Sequence, residues 1–210
     1  MTGRLRLAAE HFLLFYVLVA GYALADPPGG PIPVLVVLAV AAALYLRRQG
    51  GLDRRDLWRP EALRDAWRPA LALWCGTAVA MTGLVAWLAP DRLFELPRER
   101  PLLWAAIVVF YPLLSVYPQE LLFRAFLLHR YAPLFPGPRS AALAGAAAFG
   151  FAHVIFGNVL AVALTLAGGW LFARRYQRTR SLFVVSLEHA AYGLLIFTVG
   201  LGGSFYHGTA

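Results

Sequence analysis

Two carboxylates, one amide, one guanidinium and two imidazoles stand out in this chain because of where they fall. Gln119, Glu120 and Arg124 lie in one long apolar run, His153 in the next, and Glu188 and His189 in a later one. A charged side chain at the centre of a bilayer costs about 2.5–3.5 kcal/mol on insertion scales, so each needs a reason to be there. Glu120 and Arg124 are four residues apart and share a helix face; alone, they read as an internal ion pair that serves the fold. Phe149 and His153 share the same spacing, and a lone histidine there reads as a packed core residue. Glu188 and His189 alone read as an adjacent pair near the inner end of a run. Together these groups suggest hydrolysis. In a shared, water-poor pocket, Glu120 would take a proton from water. One of His153 and His189 would orient that water, and the other would stabilise an oxyanion. Alternatively, Glu120, His153 and His189 would hold a zinc ion with one open position, although the chain has no H-E-x-x-H. His11, His129 and His207 fall near run ends or in tails and read as interfacial or solvated.

Lipid must solvate much of the chain that positions these groups. Of its 210 residues, 60% are hydrophobic and 14% charged, with mean hydropathy +0.63. A soluble domain has about 45–50% apolar and about 25% charged residues. A water-soluble enzyme and a disordered tail are excluded. Cys75 is the single cysteine, which excludes a disulfide scaffold. Apolar stretches at about 7–25, 31–46, 70–89, 102–128, 140–157, 158–173 and 181–200 predict an all-α polytopic membrane protein. The count is about seven transmembrane helices, within a range of six to eight. The expected organisation is a single membrane domain over 1–210. Accessory helices occupy 1–100, and a catalytic-type core occupies 102–200.

Arginine orients these spans. The net charge of +8 carries no lysine, and fifteen of the nineteen arginines fall before the first run or in the loops at 47–69, 129–139 and 174–180. Three, Arg92, Arg98 and Arg100, fall in a loop of the opposite set, and Arg124 lies within a span. This asymmetry predicts a cytoplasmic N-terminus in an integral, multi-pass protein of the plasma membrane. It makes the lipid bilayer, not nucleic acid, the partner of the basic residues. The amphipathic loop 47–69 alternates arginine with Asp53, Asp56, Glu61 and Asp65. It reads as a short helix on the inner leaflet, with a protein-binding surface as the alternative. Ala23-Leu24-Ala25 imitates a signal-peptide cleavage site, but Glu10 and His11 interrupt that pattern, so the segment reads as the first span. Gly145 with Gly150, and Gly168 with Gly169, read as close helix contacts.

Three short segments resemble a known family in order, spacing and membrane setting. They are Gln119-Glu120-Leu121-Leu122-Phe123-Arg124, Phe149-Gly150-Phe151-Ala152-His153 and His189-Ala190-Ala191-Tyr192-Gly193, the last preceded by Ser181-Leu182. They are similar to the Glu-Glu-x-x-x-Arg, Phe-x-x-x-His and His-x-x-x-Asn motifs of the CAAX protease and bacteriocin-processing intramembrane proteases (CPBP, or ABI). The likeness covers about residues 110–200; residues 1–100 carry none. It implies an eight-helix-like membrane fold with a site facing the cytosolic leaflet. It also implies an endopeptidase that cuts near the C-terminus of a membrane-associated protein or peptide, lipid-linked or bearing a sorting tag. The site candidates are Glu120, Arg124, His153 and His189, with Gln119 beside them. Two positions depart from the pattern. Gln119 stands where the family has the first glutamate, usually assigned as the water-activating base, so that role would pass to Glu120 or Glu188. Gly193 stands where the family has asparagine, which removes an oxyanion donor; Tyr192 is either a substitute or a packing aromatic. Two other functions fit the residues: a non-catalytic binding, immunity or scaffold protein of the same fold, and a small transporter using the charged groups as an ion path.

Overall fold

Long runs of leucine, valine and alanine can satisfy their backbone in lipid only as helices. In the computed structural model residues 2–50 and 53–205 are described, and among them there are nine helices and no strand. They are α1 (Gly3–Ala25), α2 (Ile32–Arg48), α3 (Arg54–Leu57), α4 (Leu63–Leu88), α5 (Glu95–Glu99), α6 (Pro101–Arg130), α7 (Pro138–Phe156), α8 (Val159–Thr179) and α9 (Leu182–Val199). Local chemistry sets the last boundaries. Asn158 caps α8 by accepting the Ala161 N–H at 2.8 Å, and Ser181 caps α9 by accepting that of Val184 at 3.3 Å. Gly157 and Gly200, at φ +67° and +102°, end α7 and α9.

Side-chain bonds sort the helix ends. Arg130, closing α6, holds Glu10 of α1 at 2.7 Å and Tyr45 of α2 at 2.9 Å. Gln177, near the end of α8, donates to Pro138 O at the start of α7 at 2.8 Å. Arg180 pairs with Asp56 at 3.0 Å. At the other end Asn158 donates to Ser204 O at 2.8 Å, and Trp104 donates to the Thr198 hydroxyl at 3.1 Å. The arginine-rich loops thus gather at one end of an antiparallel bundle.

Among the described residues five helices are long and apolar enough to cross a membrane: α1, α4 with its preceding turn, α6, α7 and α9. The expected seven is higher because two apolar stretches form helices that fall short. Helix α2 has 17 residues, and α8 has 21 but carries Arg174, Arg175 and Arg178 near its end. Leu24, Val79, Trp87 and Leu102 are each more than three-quarters exposed. Such an apolar outer surface requires a non-aqueous surround. Helix α6 differs: residues 118–127 are all buried, so the motif helix is enclosed where it carries its charges. Within it, Leu121–Phe126 forms a wider π-helical turn, with the Leu127 N–H bonded to Leu122 O.

Close contact joins α7 to α8. A Cβ at Gly169 would lie 2.9 Å from Ala146 Cα, and one at Gly150 would meet the Leu166 side chain, in keeping with the packing role expected of these glycines. Two other expectations change. Among the described residues of loop 47–69 there is no continuous surface helix. Its helical part is α3 followed by the short turn Pro60–Ala62, while residues from Leu63 onward already belong to α4. The segment docks onto the start of α9, with the Trp58 ring 4.3 Å from that of Phe183 and Ser181 donating to Arg59 O. His11 is half-buried among Phe15, Tyr131 and Phe135 rather than solvated. His129 is exposed, and His207 lies outside the described residues.

Candidate active site

Helix α6 brings Glu120 against α9, where His189 Nδ1 lies 2.8 Å from Glu120 Oε1. A carboxylate only accepts, so Nδ1–H donates and the lone pair of His189 sits on Nε2. The other carboxylate oxygen contacts Arg124 Nε at 3.1 Å, and neither of these side chains has any exposed surface. Arg124 donates further to Phe123 O at 3.4 Å, and its guanidinium carbon lies 4.9 Å from the centre of the Phe149 ring. Glu120 and Arg124 therefore neutralise each other where desolvation would otherwise be prohibitive.

His189 is held on three sides. Its ring stacks on Phe172 at 4.6 Å and 17°, and it meets the edge of Phe149 at 5.5 Å. Nε2 lies 3.4 Å from the Tyr111 hydroxyl. His153, at the end of the regular part of α7, packs its ring 4.7 Å from Phe149. Its Nδ1 is 2.7 Å from Phe149 O; a carbonyl only accepts, so the lone pair of His153 also sits on Nε2.

A cavity of about 430 Å³ opens in front of these groups. Gln119, His153, His189, Tyr111 and Ser115 line it, among apolar residues of α4, α8 and α9. Gln119 donates to Ser115 at 2.7 Å, which leaves its buried Oε1 unpartnered. Glu120 is absent from the wall and sits one residue behind it. This differs from the expectation that Glu120 touches water. Its oxygens are already taken by an imidazole and a guanidinium. Glu188 is likewise unavailable as a base, because Arg175 holds it through two hydrogen bonds of 2.7 and 3.0 Å. The zinc alternative meets the same obstacle: among the described residues no group of three His, Cys, Asp or Glu is placed to hold a metal ion.

The wall residues lie at the middle of their helices and beyond it, reaching Phe156 and Phe205. The cavity thus runs from the depth of Gln119 and His189, which lie nearer the arginine-rich ends of α6 and α9, to the end that holds Asn158 and Ser204. Tyr111 escaped the reading of the sequence, although it lies eight residues, about two turns, before Gln119 on the same helix.

Apolar helices surround a buried carboxylate–imidazole pair, and a second imidazole lies on the same cavity. Residues 100–195 match the family described as type II CAAX prenyl endopeptidase, Rce1-like, and over that stretch the chain carries a domain of this family. Membership implies an intramembrane peptidase. No curated protein and no solved structure matches the chain.

Proposed function

We propose that the protein hydrolyses a peptide bond of a membrane-associated protein or peptide, with His189 as the general base. The carrying observation is the Glu120–His189 contact of 2.8 Å, which leaves the His189 Nε2 lone pair on the cavity side. Water in the cavity gives a proton to Nε2 as its oxygen bonds to the scissile carbonyl carbon. The charged imidazole that results is stabilised by the carboxylate behind it. It then returns the proton to the amide nitrogen as the carbon–nitrogen bond breaks. Glu120 acts through His189 as a positioning residue, and Arg124 positions Glu120. His153 Nε2 is an acceptor on the same wall and suits the water's second hydrogen. The apolar remainder of the cavity fits a lipid-linked or otherwise apolar C-terminal segment.

We read all seven long helices as crossing the bilayer, with the arginine-rich end in the cytosol. Gln177 beside Pro138 supports this, because it returns α8 along the full length of α7.

The test is cleavage in phosphatidylethanolamine–phosphatidylglycerol vesicles. The probes are fluorogenic peptides ending in cysteine, two aliphatic residues and a variable residue, with the cysteine farnesylated or free. The purified protein should cleave, while His189→Ala and His153→Ala should each lose about 10²-fold or more at equal protein level. Cleavage that survives both substitutions overturns the mechanism. A parent protein that binds these peptides and cuts none supports the non-catalytic reading instead.

A further inference from the structure

Hydrolysis of an amide needs a donor for the negative charge that develops on the carbonyl oxygen. The hydrogen-bond inventory of the cavity leaves few. Both imidazole Nδ1–H groups are committed, one to Phe149 O and the other to Glu120. The Gln119 amide donates to Ser115, and the Thr165 hydroxyl bonds to Ala161 O and Val162 O on its own helix. The Ser115 and Tyr192 hydroxyls also belong to the wall, but the Tyr111 hydroxyl is the one bonded beside the reacting nitrogen, 3.4 Å from His189 Nε2. Its position depends on a second residue across the helix interface. A Cβ at Gly193 would run into the Tyr111 hydroxyl and ring. The phenol of α6 therefore occupies the space into which any side chain at position 193 of α9 would project.

We propose that Tyr111 is a further catalytic residue, its O–H donating to the carbonyl oxygen in the transition state, and that glycine at 193 is the condition for it. The hydroxyl rests against His189 Nε2 in the free protein. When substrate and water arrive, Nε2 turns to the water and the O–H turns to the carbonyl oxygen beside it. No proton leaves Tyr111, so the balance of the hydrolysis is unchanged. The pair Tyr111–Gly193 thus supplies from α6 the polar hydrogen that a side chain at 193 would supply from α9. This role rests on the hydrolytic reading above.

The test uses the same vesicle assay with the full-length protein. Tyr111→Phe keeps the ring and should lower kcat by about 10²–10³ with little change in KM. Tyr111→Ala should fall at least as far. Tyr111→Ala/Gly193→Asn places a carboxamide in the vacated space and should recover about tenfold or more, whereas Tyr111→Ala/Gly193→Leu fills it without a donor and should recover nothing. Rescue by leucine as good as by asparagine would reduce Tyr111 to packing and overturn the proposal. So would a Tyr111→Phe protein whose kcat stays within about threefold of the parent. In both cases the hydrolytic reading would stand. A parent that cleaves nothing overturns that reading, and the role of Tyr111 with it.

Discussion

Gln119 and Glu120 are neighbours in the chain and face opposite environments. Gln119 lines the cavity, with its own oxygen buried and unpartnered, whereas the fully buried carboxylate is hydrogen-bonded to His189 through one oxygen and ion-paired with Arg124 through the other. Their substitutions should therefore differ in kind. Glu120→Gln removes the charge that holds and stabilises His189, and we expect a fall in kcat of about 10⁴, the size seen when an orienting carboxylate becomes an amide. Gln119→Leu should cost about tenfold through the lost hydrogen bond to Ser115 on the cavity wall, whereas Gln119→Glu should hold or raise the rate, since a carboxylate there adds a proton acceptor. Single-turnover rates in vesicles, normalised to folded protein, check all three; a large loss in Gln119→Glu would make the amide itself the required group. Glu120, Arg124 and the histidines were legible because each is costly in an apolar run. Tyr111 was not, because a tyrosine is cheap there, and its importance depends on a glycine eighty-two residues further along. Nor was the direction in which Glu120 points. Spacing gave its proximity to Arg124, but its contact with His189 is a meeting of two helices.

Small residues set the distances between elements. The α7–α8 hairpin carries Phe149 and His153 on one arm and Phe172 on the other. Phe172 stacks on His189, so the spacing of the two arms aligns the site. Gly169→Val would drive side-chain atoms into Ala146, whose Cα lies 2.9 Å from the first added carbon. We expect a loss of about 1–3 kcal/mol, the usual range for overpacking, read as a lower midpoint of unfolding in detergent. Activity should fall further than stability alone explains. An unchanged midpoint would show that the hairpin can open without cost. Pairing across elements also hid part of the fold from the sequence. Charge alternation in loop 47–69 suggested a surface helix, but the Asp56–Arg180 and Trp58–Phe183 contacts that fix it exist only once α9 is in place. Likewise, Arg175 and Glu188 read separately as a loop-end arginine and an interfacial acid, yet they form one buried pair.

At the scale of the whole molecule, the arginines gather at one end and the cavity reaches Phe205 at the other, and the number of crossings decides which compartment each one meets. Seven crossings put Arg139 and Arg178 on one side, with Asp91 and Ser204 on the other. Were α2 and α8 to stay on one side of the bilayer, the five remaining spans would separate Arg139 from Arg178. Gln177 bonded to Pro138 argues against that separation, since it brings the end of α8 back beside the start of α7. The prediction uses single cysteines at positions 91, 139, 178 and 204 in a Cys75→Ser background, probed with a membrane-impermeant maleimide in sealed vesicles of both orientations. Cysteines at 139 and 178 should react only where the cytosolic face is outward, and those at 91 and 204 only in the opposite orientation. Reagent bound at 204 should also slow peptide cleavage, because Phe205 lines the cavity, whereas reagent at 178 should leave it unaffected. Labelling of 139 and 178 from opposite sides would overturn the seven-crossing topology. Inhibition from 178 in place of 204 would mean that substrate enters from the arginine-rich end.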